Sequence, residues 1–224
     1  MYRSVWKGTL APSGIFLYRA VRISGVTAKT RGRPRGFDAD AALDRAIEVF
    51  WEHGYEGASL ADLTDAMGIN RPSMYAAYGN KEELFRRAVA RYAEYDMAYA
   101  REALAEPTAY ATVEKFLKAN ADALTQPGRP AGCLSIQGGL AGGSDNGQVA
   151  QFLAASRLAG EQQLTERLAR AVDEGDLPAG TDPADLARYV MTVSEGNAVH
   201  AAAGADRAGL YATVEIALRA LPRT

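Results

Sequence analysis

Arg71, Ser73, Tyr75, Ala76 and Ala77 crowd into one short segment, Arg-Pro-Ser-Met-Tyr-Ala-Ala-Tyr. A guanidinium forks onto the O6 and N7 of guanine, a serine hydroxyl reaches a base or a phosphate, and a methyl side chain packs on the methyl of thymine. Arg71 is the one long cation between Ser59 and Tyr78, which makes it the candidate for a bidentate guanine contact. Read as a helix face, this surface has little bulk and no negative charge, which suits a DNA major groove. Lys81 follows shortly after, in the first turn of another helix. A cation there is mildly unfavourable unless an anion is near. A DNA phosphate, held jointly by Lys81 and free backbone N–H groups, would be that anion. The plainer alternatives are a surface salt bridge for Arg71 and a solvated loop lysine for Lys81.

These side chains need two short helices to present them. Ser59 caps one that runs through Met67, with Asp62 at the capping-box position, and Gly68 stops it. Asn70 caps the second, whose first turn tolerates Pro72 because the missing N–H would be unpaired there. The joint Gly68-Ile69-Asn70 has helix-turn-helix spacing. Leu60, Leu63, Met67, Ile69 and Met74 supply the apolar contacts that lock the pair. Upstream, a helix from about Asp38 to His53 carries Leu43, Ile47, Phe50 and Trp51 on one face and ends at Gly54. Downstream, Asn80 caps a longer helix with Glu83 at the capping-box position. Leu84, Phe85, Ala88, Tyr92, Tyr95 and Tyr99 follow one side of it, and Pro107 ends it. The rest reads as helix over roughly 108–125, 133–141, 147–174, 183–204 and 206–221, with Gly, Pro and Asp at the breaks.

The net charge of −2 conceals an asymmetry. Eight basic residues (Arg3, Lys7, Arg19, Arg22, Lys29, Arg31, Arg33 and Arg35) and no acidic one precede Asp38, leaving 17 basic against 27 acidic residues in the rest. A basic arm reaches phosphates and an acidic body does not wrap DNA, so contact is expected at one end only. Residues 1–36 show no sustained periodicity and read as a basic, flexible extension. Residues 1 to about 28 read equally as translation from a start codon placed too far upstream. Cys133 is the only cysteine, which excludes an internal disulfide and suits the cytoplasm.

No apolar run nears the ~18 residues of a membrane span, and Ser13 to Val21 is too short and too interrupted by Arg19 to be an export signal. His53 and His200 sit in separate halves, and no nucleophile–base set, metal-ligand cluster or strand-borne phosphate loop is visible. Neither a metal nor a cofactor is therefore expected, and an enzyme fits poorly. A purely protein-binding helical module would leave the basic arm and the Arg71 segment unexplained.

From Gly32 to Arg87 the chain resembles the DNA-binding domain of the tetracycline-repressor (TetR) family. The resemblance is carried by the Gly-Arg-Pro-Arg arm, the Gly-Tyr…Ser-Leu approach to the second helix, and the run Met67 to Phe85 (MGINRPSMYAAYGNKEELF). It implies phosphate contacts for Ser59, Tyr75 and Lys81. The family often has Tyr-x-His-Phe where this chain has Tyr75-Ala76-Ala77-Tyr78. The histidine's phosphate contact is thus missing, and Tyr78 either offers its hydroxyl to DNA or fills the core. Arg31, Arg33 and Arg35 resemble the arm that some members insert into a minor groove, or they act by charge alone. The expected DNA-binding set is Arg33, Arg35, Ser59, Arg71, Ser73, Tyr75, Tyr78 and Lys81.

Residues 107–221 resemble the family's ligand-binding and dimerisation half. The implied fold is all-α, with about nine helices. A basic extension covers 1–36, a three-helix helix-turn-helix domain 37–86, and a helical ligand-binding and dimerisation domain 87–224. Small residues in the last two helices (Gly196, Ala198, Ala201, Ala202, Ala203) would let a homodimer pack and present two recognition helices to a near-palindromic double-stranded DNA operator. The implied function is a cytoplasmic homodimeric repressor released by a small molecule of unidentified structure, with activation or ligand-free repression as variants.

The pocket candidates are Tyr92, Tyr95, Tyr99, Phe116, Asn120, Leu134, Gln137, Phe152, Met191, Asn197 and His200, most of which suit ordinary core equally well. Cys133, after Gly132 at a helix start, sits in a Gly-Cys-Leu that resembles one in a family branch with electrophile-sensing members. It reads either as a redox or electrophile sensor or as a small buried residue.

Overall fold

The computed structural model of the chain describes residues 37–140 and 147–224, so Arg31, Arg33, Arg35 and the rest of the basic extension lie outside the described residues. Among the described residues there are ten α-helices and no strand. The first three are α1 (Ala39–Gly57), α2 (Leu60–Met67) and α3 (Arg71–Tyr78). The Asp38 carboxylate accepts from the backbone N–H groups of Asp40 and Ala41 and so starts α1. Gly54, read from the sequence as the end of that helix, is instead a kink at φ 68°, after which the helix resumes to Gly57. The kink lays Tyr55 against the rings of Phe50 and Phe85.

Ser59 and Asp62 form a full capping box on α2, and Gly68 closes it in the left-handed region. Asn70 caps α3, with Pro72 in its first turn. At eight residues each, α2 and α3 are shorter than the ~12–15 residues at which an isolated helix becomes even marginal. They persist because Leu63, Met67, Met74 and Tyr78 are buried in one core with Leu43, Ala46, Ile47 and Phe50 of α1.

Asn80 and Glu83 form the capping box of α4 (Lys81–Tyr95). The single long helix expected up to Pro107 is two: α4 ends at Tyr95 and α5 (Ala98–Leu104) follows. The break is made from outside the helix. Asp96 turns its carboxylate to the Arg129 guanidinium, and Arg101 reaches back to the carbonyls of Ala93 and Glu94 at the end of α4, supplying donors that a continuing helix would otherwise provide. The count is thus ten rather than about nine.

The remaining helices, α6 (Ala109–Leu124), α7 (Leu134–Leu140), α8 (Gly147–Asp173), α9 (Pro183–Ala202) and α10 (Arg207–Arg219), fall close to their expected bounds. They bury a second core of Val113, Leu117, Leu164, Leu168, Val190, Val214 and Leu218. The first core does not stop at residue 86. It continues along α4 through Ala88, Val89 and Tyr92 to Cys133 and Leu134 at the start of α7 and Leu153 of α8.

Met74 is the fully buried side chain by which α3 enters this core. Met74→Ala is expected to cost about 2–5 kcal/mol, seen as a lower urea midpoint at fixed protein concentration with an unchanged slope. A cost below ~1 kcal/mol would mean that α3 is held by other contacts.

Candidate nucleic-acid interface

Burial of Met74, Ala77 and Tyr78 determines which side of α3 faces outward. Arg71, Tyr75 and Ala76 are exposed and Ser73 is half-buried, with Tyr75 leaving 47% of its surface open. Asn70 uses its side-chain oxygen to accept the Ser73 N–H, at 2.9 Å. Beside this face lies a concavity of about 360 Å³ lined by Phe37, Gly68, Ile69, Asn70, Ser73, Ala76 and Ala77. Ala77 is a correction. Grouped with the outward residues in the sequence, it is 9% exposed and belongs to the core, so Ala76 alone is placed for a thymine methyl.

Tyr78 is a second correction. It is 3% exposed, and its hydroxyl donates to the Ala39 carbonyl at 2.6 Å, so its ring and its oxygen are spent inside the protein. The result is a clamp that ties the last turn of α3 to the first turn of α1. Arg87 of α4 closes the same end, donating to the Ala77 carbonyl at 3.1 Å with its guanidinium over the Tyr78 ring. Arg45 does likewise for α2, donating to the Met67 carbonyl at 3.2 Å. Cations at helix C-termini satisfy carbonyls that have no partner along the helix. Sequence reasoning missed both arginines, whose partners lie 10 and 22 residues away.

The Lys81 ammonium sits 4.6 Å from the centroid of the Tyr55 ring. Burial lowers its pKa below the usual lysine range. The aromatic ring under it and the field of the nearby Glu56 carboxylate, which opposes the effect of burial, support a cation in the first turn of α4. The capping box uses the N–H groups of Asn80 and Glu83, leaving those of Lys81 and Glu82 directed outward. The neighbouring Glu82 carboxylate is held by Arg86 at 2.7 Å. Ser59 is exposed, its hydroxyl oxygen accepts the Asp62 N–H at 3.1 Å, and the Asp62 carboxylate, lowered in pKa by its hydrogen bonds with Ser59, takes up the hydroxyl from the other side.

The sites suggested for a small molecule divide. Tyr92, Tyr99, Asn120 and Cys133 come together: the Tyr92 hydroxyl donates to Cys133 Sγ at 3.5 Å, and Asn120 Nδ2 donates to the Tyr99 hydroxyl at 2.9 Å. Phe116 lies beside Tyr99, with ring centroids 6.0 Å apart. Leu134 is fully buried core. Gln137 is half-buried and donates to the Ala131 carbonyl, Asn197 is buried, and Met191 packs on the second core. Phe152 lies under the Arg86 guanidinium at 4.7 Å.

Tyr95 and His200 do not join them. Tyr95 is 61% exposed, turned out where α4 ends and lying under Arg91, and His200 is exposed on α9. Cys133 is 7% exposed. Among the described residues no group of three or more His, Cys, Asp or Glu is placed to hold a metal ion, and no helix is long and apolar enough to cross a membrane.

Residues 42–88 match the family model for bacterial regulatory proteins of the tetR family, and residues 109–216 match that for the tetracyclin repressor-like C-terminal domain. The HTH-type transcriptional repressor ComR of Escherichia coli (strain K12) is 35% identical over 196 residues, 87% of this chain and 93% of that protein. An uncharacterized HTH-type transcriptional regulator, YezE of Bacillus subtilis (strain 168), is 36% identical over 161 residues, 71% of this chain and 83% of its own length. Among solved structures, a cysteine mutant of the TetR family transcriptional regulator CifR, complexed with 26-base-pair double-strand operator DNA, matches with a TM-score of 0.82 at 44% identity, covering 85% of this chain and 100% of that one.

The placement of Tyr78 has a measurable consequence. Tyr78→Phe is expected to lower stability by about 0.5–1.5 kcal/mol, one buried hydrogen bond, while the dependence of DNA affinity on salt keeps its slope. A slope flattened by about one unit would show instead that the phenol holds a phosphate.

Proposed function

We propose, from the premise that this chain belongs to the tetR family of bacterial regulatory proteins, that it is a homodimeric repressor which binds a near-palindromic operator through α3 and is released by a small molecule. The family is one of transcriptional regulators, not enzymes. One observation carries the reading. The outward face of α3, with Arg71, Ser73 and Tyr75, is anchored at its rear by the Tyr78–Ala39 and Arg87–Ala77 hydrogen bonds, and Lys81 is mounted beside it on Tyr55. A recognition helix held this way presents Arg71 to a guanine edge in the major groove, while Ser59, Tyr75, Lys81 and the open N–H groups of α4 take phosphates. Arg33 and Arg35, which precede Phe37 in the chain, supply the basic arm to the adjacent minor groove.

Pairing through α9 and α10 is supported by what those helices leave uncovered. Val199 is 47% and Ile216 61% exposed. His200 and Ala202 on α9, Ala203 just past its end, and Ala212 and Ala220 after them are exposed too. Small side chains around two apolar ones suit a close, self-complementary contact. A pair of this kind sets two α3 helices to span successive major grooves, roughly 34–36 Å apart. A repressor acting on chromosomal DNA works in the cytoplasm. The repressor ComR and the operator-bound CifR complex support operator binding by this chain.

Footprinting on the DNA upstream of the chain's own gene and its neighbours tests the reading: a protected, near-palindromic site supports it, and uniform protection without a site rejects it. On that site, Arg71→Ala is expected to cost about 1–3 kcal/mol and relax one base position per half-site. An equal loss on all duplexes would limit Arg71 to phosphate. Lys81→Ala is expected to weaken binding to every duplex and to flatten the salt slope by about one unit. An unchanged slope would remove Lys81 from the DNA contact.

A further inference from the structure

We infer that the effector is an uncharged small molecule bearing a hydroxyl or primary amide on an aromatic or apolar body, bound at the paired side chains of Tyr99 and Asn120. This rests on the reading of the chain as an effector-released regulator and adds the chemistry that the effector must have.

Asn120 on α6 is 4% exposed. Its Nδ2 is spent on the Tyr99 hydroxyl, at 2.9 Å, while its Oδ1 is enclosed and has no partner among the described residues. A buried acceptor left empty is costly, so this atom calls for a donor from outside the chain. Tyr99 completes the offer. Its hydroxyl accepts from Asn120 and keeps its own proton to give, and burial raises its pKa well above the tyrosine range, so the proton stays on. The pair therefore presents one acceptor and one donor side by side. A hydroxyl group or a primary amide answers both at once.

Charge selects further. The groups that bear on Tyr99 are Cys133 and Asn120, neither of them a formal charge. On the Tyr92 side the nearest carboxylate, Asp96, is neutralised by Arg129. A carboxylate or ammonium ligand would give up its hydration here, and neither Tyr99 nor Asn120 carries a charge to replace it. The neighbouring side chains are aromatic: Phe116 lies beside Tyr99, and Tyr92 stands edge-on to Trp51 with centroids 4.9 Å apart.

The test uses the full chain and four probes of one shape: benzyl alcohol and benzamide, uncharged, against benzoate and benzylamine, charged. Binding is read by calorimetry and by the protein's tryptophan fluorescence, without DNA. Operator release is read separately, by anisotropy, against each variant's own ligand-free complex. The two neutral probes are expected to bind the native protein, and the two ions to bind at least about tenfold more weakly. Asn120→Leu and Tyr99→Phe should each weaken the neutral probes by about tenfold, with circular dichroism showing that the variants are folded.

Ions that bind as well as the neutral probes would overturn the inference, as would folded variants that bind them undiminished. So would the absence of binding by any probe, the result expected of a site that holds an ordered water only. Neutral probes that bind through Asn120 but leave the operator complex intact would keep the site and sink the ligand-released repressor.

Discussion

The three helices that carry the DNA-binding face depend on one face of α4. Leu84, Phe85, Ala88, Val89 and Tyr92 run along it, and each meets an aromatic or aliphatic partner that the rest of the head also needs. Phe85 meets Phe50 edge-on at 5.0 Å and Tyr55 at 5.1 Å, while Tyr92 meets Trp51 at 4.9 Å. T-shaped ring pairs hold a distance and an angle together, so the C-terminal part of α1, from Phe50 to Tyr55, is fixed against α4. The two short helices that carry Arg71 have too few residues to hold themselves. Their position is whatever α1 and α4 impose.

Around that core, a tier of arginines fixes ends rather than middles. Arg45 and Arg87 finish α2 and α3. Arg91 grips the Asp44 carboxylate with two hydrogen bonds and holds its pKa below the usual range. Partly exposed ion pairs contribute little to stability, roughly 0–1 kcal/mol each. Their effect is on direction, because a planar guanidinium accepts few approach angles. Lys81 belongs to a different class. Its charge rests on an aromatic ring with no carboxylate bound to it, which leaves it available to an anion that arrives from outside.

How much of this was legible in the sequence follows the range of the interaction. Ser59–Asp62, Asn70–Ser73 and Asn80–Glu83 all act over three residues, and all three helix starts could be read directly. Gly79, at φ 81° with the Glu83 carboxylate where a Cβ would stand, is local as well. The break after Tyr95 was not read, because no glycine or proline marks it and part of what holds it, Arg129 on Asp96, comes from 33 residues away. With the helix expected to continue, Tyr95 took a place in line with Tyr92 and Tyr99 that it does not occupy. Tyr78 was open between two roles. Composition cannot show that the Ala39 carbonyl lies within reach of a hydroxyl 39 residues along the chain. His200 went wrong for a related reason: on a helix rich in small residues, periodicity alone does not say which side is covered.

Tyr92 and Trp51 also determine how the far half of the chain acts on the head. Tyr92 touches α1 through the Trp51 ring and α7 through Cys133. Arg129, four residues before Cys133, lies over Trp51 at 5.2 Å and pairs with Asp96 just past the end of α4. The segment from Arg129 to Cys133 therefore bears on the C-terminal parts of α1 and α4. A push of that segment toward Trp51 would be passed to α1, because close-packed rings do not compress. Tight binding at this point is nevertheless not enough to release DNA. A molecule that fits both placements of α1 equally well shifts no population. Release follows only from contacts made in one placement and lost in the other. An unpaired acceptor such as Asn120 Oδ1 supplies such a contact if it finds its partner in one placement only.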